Sequence, residues 1–372
     1  MSEIKRIAFL IDDIEIKGGS QRISLELAKS LSFFYKVTFI SWYKNQPAYI
    51  VSENVDYKYL LKDKNRFRDD CFKLIKNLKH ILKEENINIL IVVGRYAALI
   101  TWFLKFNRMI KIIFWEQTSI VGYKIFYSSF KRKITNYLIL LIYKLIGNKI
   151  VFLSNKDQKI YNNFSFLGSK NSISIVNYID DELCKKGKTN YNINSKKIIT
   201  VGRIDYAKGY EYLVKVAKLV FNKHPDWQWH IYGDGKAFYK NKIIDLIKEN
   251  GIEKHVILQG DSSNIYALYS DYSFLVMTSR YEGFGLVLIE AKAKKLPLVS
   301  FDINSGPSDI IRDEVDGFLI KPFDCKAMAD RICKLIETPE LRQQFSDNAN
   351  NNLGKFNKNK IVKQWCELIN SL

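Results

Sequence analysis

The sequence predicts an α/β protein built from two doubly wound, parallel-sheet domains. Three observations lead there. Short apolar runs recur along the chain, each followed by a stretch of helical periodicity. That alternation builds parallel sheets with crossover helices. A chain of 372 residues is long enough for two full cores. Finally, glycine-containing polar segments follow the apolar runs, and such sheets bind ligands beyond the carboxyl ends of their strands.

In the first half, strand-like runs occupy 7–11, 37–41, 87–93, 110–115 and 149–153. The first ends in Asp12-Asp13, then a loop with Gly18-Gly19 opens a helix over 20–31. A polar segment, 180–197, lacks apolar periodicity, carries Lys185-Lys186-Gly187-Lys188 and reads as a linker. In the second half the runs 198–201, 227–232, 255–260, 273–277 and 296–300 alternate with helical patterns. The expected organisation is an N-terminal domain over 1–180, a linker over 181–195, a C-terminal domain over 196–350 and a last segment, 351–372, whose residues 355–372 form a terminal helix.

Composition narrows the setting. Five cysteines form no C-x-x-C pair, which points to a reduced compartment. Lys5-Arg6 leads straight into the first strand with no signal-like segment. The longest apolar block, 137–146, is interrupted by Lys144 and too short to span a bilayer. The net charge of +19 is uneven: residues 1–180 hold 29 Lys+Arg against 15 Asp+Glu, a surplus of +14. No zinc-finger, RRM or KH pattern accompanies it, so nucleic acid is not an expected partner. Tyr127, Phe130, Ile134, Leu138, Leu141 and Leu145 recur at helical spacing beside Lys131, Arg132, Lys133 and Lys144. Two readings share that pattern: a basic amphipathic helix lying on an anionic membrane, or a helix packed on the sheet with a lysine rim.

The densest chemical signal is Ser279-Arg280-Tyr281-Glu282-Gly283-Phe284-Gly285-Leu286-Val287-Leu288-Ile289-Glu290-Ala291. A glycine turn at a helix start exposes backbone N–H groups where partial positive charge favours phosphate. Glu282 lies at the mouth of that turn, and Glu290 lies about 7.5 Å along the helix from Gly285 at 1.5 Å per residue. A diphosphate there would have a carboxylate on each side, both able to accept sugar hydroxyls. Arg203, Lys208, Gly233 and Ser262 fall at other strand ends of the same half and join the same crevice.

These motifs, in order, are Gly-Gly-Ser-Gln-Arg at 18–22, Val-Gly-Arg at 201–203 with Lys208, and Gly-Asp-Gly at 233–235. The Glu282/Glu290 pair and Gly-Pro-Ser-Asp-Ile-Ile at 306–311 follow. The chain thereby resembles the retaining glycosyltransferases of GT-B fold, the large family with bacterial O-antigen, capsule and phosphatidylinositol mannosyltransferases. The resemblance covers the second half densely and the first mainly through its opening loop. It implies two Rossmann-like domains facing across a cleft, with the terminal helix returning to the first.

The resemblance also implies roles. Arg203 and Lys208 would neutralise the diphosphate of a nucleotide-sugar, probed most naturally as a UDP-sugar, with Gly19 adding a backbone N–H from the other domain. Glu290 would bind ribose, and Glu282 the transferred sugar, with Gly283, Phe284, Gly285 and Leu286 donating N–H groups. The departing phosphate would accept the acceptor's proton, so no enzyme nucleophile is needed. No cofactor is implied, and no metal, because no Asp-x-Asp sits at a strand end. The implied acceptor is an undecaprenyl-diphosphate-linked saccharide at the cytoplasmic face of an anionic membrane. Departures are Glu116-Gln117 in place of a Glu-His pair, Gln21 where Glu is frequent, and Asp309 where Glu is usual; Arg22, Glu116 and Gln117 are assigned to the acceptor or donor-sugar side. The alternatives are a sugar-nucleotide epimerase or phosphorylase of this fold, and a non-catalytic basic scaffold.

Overall fold

A computed structural model describes residues 4–15, 17–106, 109–122, 130–164, 171–179, 183, 191–262 and 264–372. It divides into two compact units, Met1–Asn177 with Asn359–Leu372, and Tyr178–Lys358.

The first unit holds a seven-stranded parallel sheet: β1 (Arg6–Ile11), β2 (Lys36–Tyr43), β3 (Val55–Leu61), β4 (Ile89–Val93), β5 (Lys111–Trp115), β6 (Lys149–Phe152) and β7 (Ser172–Ser174). Their order is β3-β2-β1-β4-β5-β6-β7. The winding reverses between β1 and β4, where Ile7 pairs with Ile89. β4 is buried at every position, as a strand covered on both faces must be. β3 and β7 were not expected. β3 is an edge strand, paired only with β2; it exposes Asp56 and leaves Tyr57, Lys58 and Tyr59 half-buried, so it carries no apolar run. β7 spans three residues, too few for a pattern.

The second unit holds a six-stranded parallel sheet of β8 (Lys197–Val201), β9 (Gln228–Tyr232), β10 (Val256–Gly260), β11 (Phe274–Met277), β12 (Leu298–Phe301) and β13 (Gly317–Ile320). The order is β10-β9-β8-β11-β12-β13, reversing between β8 and β11, where Phe274 pairs with Ile198. That reversal sets the loops after β8 and β11 side by side. Trp229, Phe274, Val276 and Val299 fill the core under the helices Tyr210–Phe221 and Cys325–Glu337.

The boundaries differ from the expected ones. Residues 191–195 do not run free. Tyr191 Oη donates to Ser273 O at 2.7 Å, Ser195 Oγ to Asp271 O at 2.7 Å, and Arg342 Nη2 to Ile193 O at 2.9 Å, so this stretch is bound into the second unit. Lys185-Lys186-Gly187-Lys188 lie outside the described residues. At the other end, Ala349–Phe356 winds as 3₁₀ turns, and the terminal helix starts at Lys358 rather than 355. Phe356 holds those turns in the second unit, its ring edge-on to Phe284 at 5.6 Å and its carbonyl accepting Ile179 N–H at 2.9 Å. The helix Lys358–Asn370 packs in the first unit through Trp365, edge-on to Trp115 at 4.9 Å. Lys5 Nζ reaches Ile369 O at 2.9 Å and Tyr35 Oη reaches Asn370 Oδ1 at 3.0 Å.

The amphipathic stretch over 127–147 becomes the helix Phe130–Ile146. Its core face is Ile139, Ile142 and Tyr143, the last stacked on Phe114 at 4.4 Å. Ile134, Leu138 and Leu145, singled out by periodicity, point to solvent instead, with Tyr137. Tyr127 and the side chains of Phe130, Lys131 and Arg132 lie outside the described residues. Among the described residues no helix is long and apolar enough to cross a membrane.

Candidate functional site

The site of the second unit is built on backbone contacts between loops. Beyond β8, Gly202 N–H donates to Tyr232 O and Ile204 N–H to Asp234 O, both at 2.9 Å, so the loops after β8 and β9 lie main chain to main chain. Gly233 makes that approach possible. Its φ is +133°, and a Cβ there would collide with the carbonyl of Gly202. Gly306, at φ +99°, plays the same part against the carbonyl of Phe284. The Gly-Pro-Ser-Asp motif is thereby explained as a packing surface for the Glu282–Leu286 loop.

Lys208 and Glu282 meet at the centre. Lys208 Nζ lies 2.6 Å from Glu282 Oε1, and Ser279 Oγ donates to the same oxygen at 2.6 Å. Both charged groups are largely shielded from solvent, the lysine side chain 22% exposed and the carboxylate 11%. Lys208 ends a 3₁₀ turn, Tyr206–Lys208, whose start is capped by Asp205 accepting Lys208 N–H at 3.3 Å. Arg203 is more exposed and pairs with Asp205 at 3.2 Å. Gly285 is left-handed at φ +88° and opens the helix Leu286–Ala293. Ser262, at the end of β10, accepts Asn264 N–H at 3.2 Å. Arg203, Lys208, Gly233, Ser262 and Glu282 with Gly283, Phe284, Gly285 and Leu286 therefore lie at the carboxyl end of one sheet. Phe284 itself is buried.

Glu290 is buried on the inner side of its helix, with Tyr269 Oη 3.5 Å from its Oε2. Two residues on, Lys292 fixes that helix. Its Nζ donates to Ile310 O at 2.6 Å and pairs with Asp316 at 2.9 Å, while Arg312 Nε holds the other Asp316 oxygen at 2.6 Å. Burial pushes the Lys292 ammonium down to about 8 in spite of Asp316.

Sequence reasoning gave no role to Ser279 or Arg280. Arg280 lies between the rings of Tyr206 and Tyr212, 4.2 and 4.7 Å from their centroids. Its Nη1 donates to Tyr206 O at 2.7 Å and to Glu211 Oε2 at 3.0 Å, and its backbone N–H to Ala207 O at 2.7 Å. It ties the loop of Arg203 and Lys208 to the loop of Glu282. The signal was a cation with tyrosines at 206 and 212, visible only once the two loops were adjacent.

In the first unit, Gly19 begins the helix Gly19–Leu31 and is exposed, with Arg22 N–H donating to Gly18 O at 3.1 Å. Gln21 Nε2 donates to Asp13 O at 3.1 Å. Asp12, at the end of β1, is pushed up to about 6, chiefly by burial. Glu116 is turned inward. It is buried against Arg95 Nε at 2.6 Å, with Thr118 N–H on its other oxygen at 3.0 Å. Burial outweighs Arg95 and holds its carboxyl above the usual range. Gln117 is buried with its Nε2 lacking a hydrogen-bond partner, a donor still open to a hydroxyl. Among the described residues no group of three or more His, Cys, Asp or Glu is placed to hold a metal ion.

With this geometry in place, comparison with known proteins gives four findings. The family profile described as "Glycosyl transferases group 1" matches residues 184–352. An uncharacterized glycosyltransferase of Haemophilus influenzae is 30% identical over 363 residues, covering 97% of this chain and 99% of that protein. The N-acetylgalactosamine-N,N'-diacetylbacillosaminyl-diphospho-undecaprenol 4-alpha-N-acetylgalactosaminyltransferase of Campylobacter jejuni is 27% identical over 63% of each chain. Among solved structures, Anabaena Alr3699/HepE in complex with UDP and glucose superposes with a TM-score of 0.84 at 17% identity, covering both chains fully. That likeness is one of fold, and the fold is GT-B.

Proposed function

We propose, from the premise that this chain belongs to the group 1 glycosyl transferases, that it moves a hexose or N-acetylhexosamine from a UDP-sugar, with retention, to a lipid-linked saccharide acceptor. The observation that carries the donor half is the Lys208–Glu282 pair at 2.6 Å. A cation suited to a departing diphosphate there touches a carboxylate suited to sugar hydroxyls. In transfer, the bond between the anomeric carbon and the β-phosphate oxygen breaks as the acceptor oxygen bonds to the same face. The acceptor's proton passes to the departing diphosphate. Lys208 and Arg203 stabilise the charge gathering on that phosphate, where they act more strongly in the transition state than in the ground state. Ser279 holds Glu282 oriented toward the sugar.

The Campylobacter relative acts, by its name, on a diphospho-undecaprenol-linked saccharide, which supports a lipid-linked acceptor and work at the cytoplasmic face of a membrane. The HepE complex with UDP supports a uridine nucleotide. Surface-polysaccharide synthesis is the process such a reaction serves. With two cations supplying the charge neutralisation, the reaction is metal-independent, so EDTA leaves turnover intact.

A mass-spectrometric screen of UDP-sugars against undecaprenyl-diphosphate-linked saccharides tests the reading, with NMR of the product's anomeric configuration. A product of inverted configuration rejects retention. Conversion of the UDP-sugar without acceptor identifies an epimerase, and absence of UDP binding at millimolar concentration in calorimetry identifies a scaffold.

A further inference from the structure

The first sheet reverses its winding between β1 and β4, and a row of residues stands just beyond that reversal. Ile11 pairs with Val93 and Val93 with Trp115, so Asp12, Gly94 and the pair Glu116-Gln117 leave neighbouring strands at one level. β1 and β5 lie two strand spacings apart, about 10 Å, with β4 between them. Gly94 leaves that middle position open, since a Cβ built there would meet nothing within 4 Å. Sheets wound in this way take ligands at the reversal. The groups of the proposed transfer, Lys208, Arg203, Glu282 and Ser279, all belong to the second unit.

Each end of the row carries one side chain that the fold uses and one that it does not. Asp13 is engaged on both oxygens, Oδ1 accepting Glu15 N–H at 2.9 Å and Oδ2 meeting Lys64 Nζ at 3.2 Å. Asp12 beside it is half-buried and, among the described residues, has no cation at ion-pair distance. Burial raises its carboxyl, and Lys64, held by Asp13, offsets that only slightly. At the other end Glu116 is engaged by Arg95 and Thr118. Gln117, 9% exposed, keeps an Nε2 with no hydrogen-bond partner. A desolvated carboxyl and an open buried donor both cost stability, and nothing within the fold compensates either. Such groups, brought to one sheet edge, mark a binding site.

We infer that Asp12, Gly94 and Gln117 form the subsite for the terminal pyranose of the acceptor saccharide, Asp12 accepting a hydroxyl proton and Gln117 donating to a second oxygen of a ring seated over Gly94. A span of about 10 Å suits one such ring with a hydrogen bond at each end. The chemistry selects a neutral sugar. A carboxylate with no cation beside it repels phosphate, whereas hydroxyls can satisfy a carboxylate on one side and an amide donor on the other. Glu282 serves the donor's sugar in the proposed reaction, so the ring held here is the acceptor's. The inference rests on that reading and names residues of the chain that select the acceptor.

The test is saturation-transfer NMR of the full chain with the methyl glycosides of glucose, galactose, mannose, N-acetylglucosamine and N-acetylgalactosamine. Calorimetry with UDP and with UDP-glucose accompanies it. Wild type, Asp12→Asn and Gln117→Leu are compared at pH 8. Because burial disfavours the charged carboxyl, Asp12→Asn should melt no lower than wild type, so lost binding there is not lost folding. Wild type should saturate at least one glycoside, with UDP present or absent. Gln117→Leu should weaken that binding severalfold and Asp12→Asn about tenfold or more, the loss of a charge-assisted hydrogen bond. Affinities for UDP and UDP-glucose should be unchanged in both. A wild type that binds UDP but saturates no glycoside overturns the subsite and leaves the transfer reading standing. One that binds a glycoside but no UDP supports the sugar subsite and removes the transfer reading. Glycoside binding unaltered in both variants rejects the assignment of these residues. Weaker UDP-glucose binding with the glycosides unaffected assigns the ring to the donor and also rejects the inference.

Discussion

Lys208 and Glu282 are each other's partner, and that shapes what either mutation does. Lys208→Ala removes the cation proposed to meet the diphosphate and frees the carboxylate to repel it, so nucleotide affinity should fall by more than one charge-assisted contact, about 1.5–3 kcal/mol, or roughly 10- to 150-fold in Kd. Glu282→Gln keeps the hydroxyl-binding shape and frees Lys208, so UDP should bind as well or better while turnover falls, about 10²-fold if its contacts tighten in the transition state. Calorimetry with UDP beside turnover separates the two. Equal losses of affinity in both variants would sink the division of roles. Asp12 gives a prediction of the other kind. Its carboxyl is raised from 3.8 to about 6, so the fold prefers it protonated: there is no penalty below pH 4, a growing one between 4 and 6, and a constant one above. Asp12→Asn should therefore stabilise the protein at pH 8 by about 2–3 kcal/mol, at 1.36 kcal/mol per pKa unit, and hardly at all at pH 4. Thermal melts at the two pH values check it.

At the scale of elements, the helix Leu286–Ala293 is short and carries Glu290 into the interior, so its placement depends on Lys292 and Asp316. Asp316 holds two cations, and Asp316→Asn leaves Lys292 with a buried charge facing a weaker partner. Breaking such a pair costs about 3–5 kcal/mol at neutral pH. Lys292 already titrates near 8, and losing the carboxylate lowers it further, so the cost should shrink as pH rises toward 9. A deficit equal at pH 7 and pH 9 would contradict that account. Arg280 belongs to this scale too, because it joins two loops rather than touching a ligand. Arg280→Lys keeps the charge for Glu211 but loses the planar stacking between Tyr206 and Tyr212. What the sequence made legible here were glycines and charges with local meaning: Gly285 before a helix, Lys208 in a strand-end loop. Arg280 and Ser279 were illegible because their partners lie about seventy positions away or emerge only from the turn's exact path. The burial of Glu116 was illegible for a related reason, since Arg95, its partner, precedes it by 21 residues and carries no motif.

At the scale of the whole molecule, the repeated strand-and-helix alternation made both sheets legible, because buried parallel strands such as β1, β4 and β11 are near-continuous apolar runs. The first sheet's edge strands were lost for the converse reason: β3 exposes Asp56 and only half-buries Tyr57, Lys58 and Tyr59, and a strand of three residues such as β7 has no period to read. The linker was drawn too long because polar residues such as Asn192 and Asn194 look unstructured, while Tyr191, Ile193 and Ser195 beside them are tied to Ser273, Arg342 and Asp271. Most consequential is the last helix, which belongs to the first unit although the chain leaves that unit at Asn177. Trp365, 1% exposed, covers Trp115 on β5, so the first unit's core is completed only by the chain's final segment. Trp365→Ala should cost about 3–5 kcal/mol, the usual range for emptying a buried tryptophan site. The loss should be confined to one unit. Native-state hydrogen exchange should speed at the amides of β4 and β5 while those of β8 and β11 keep their protection, since the second sheet has its own core under its own helices. Equal acceleration in both sheets would show that the two units unfold as one, and the last helix would then be a clasp for the whole chain rather than the closing piece of the first unit.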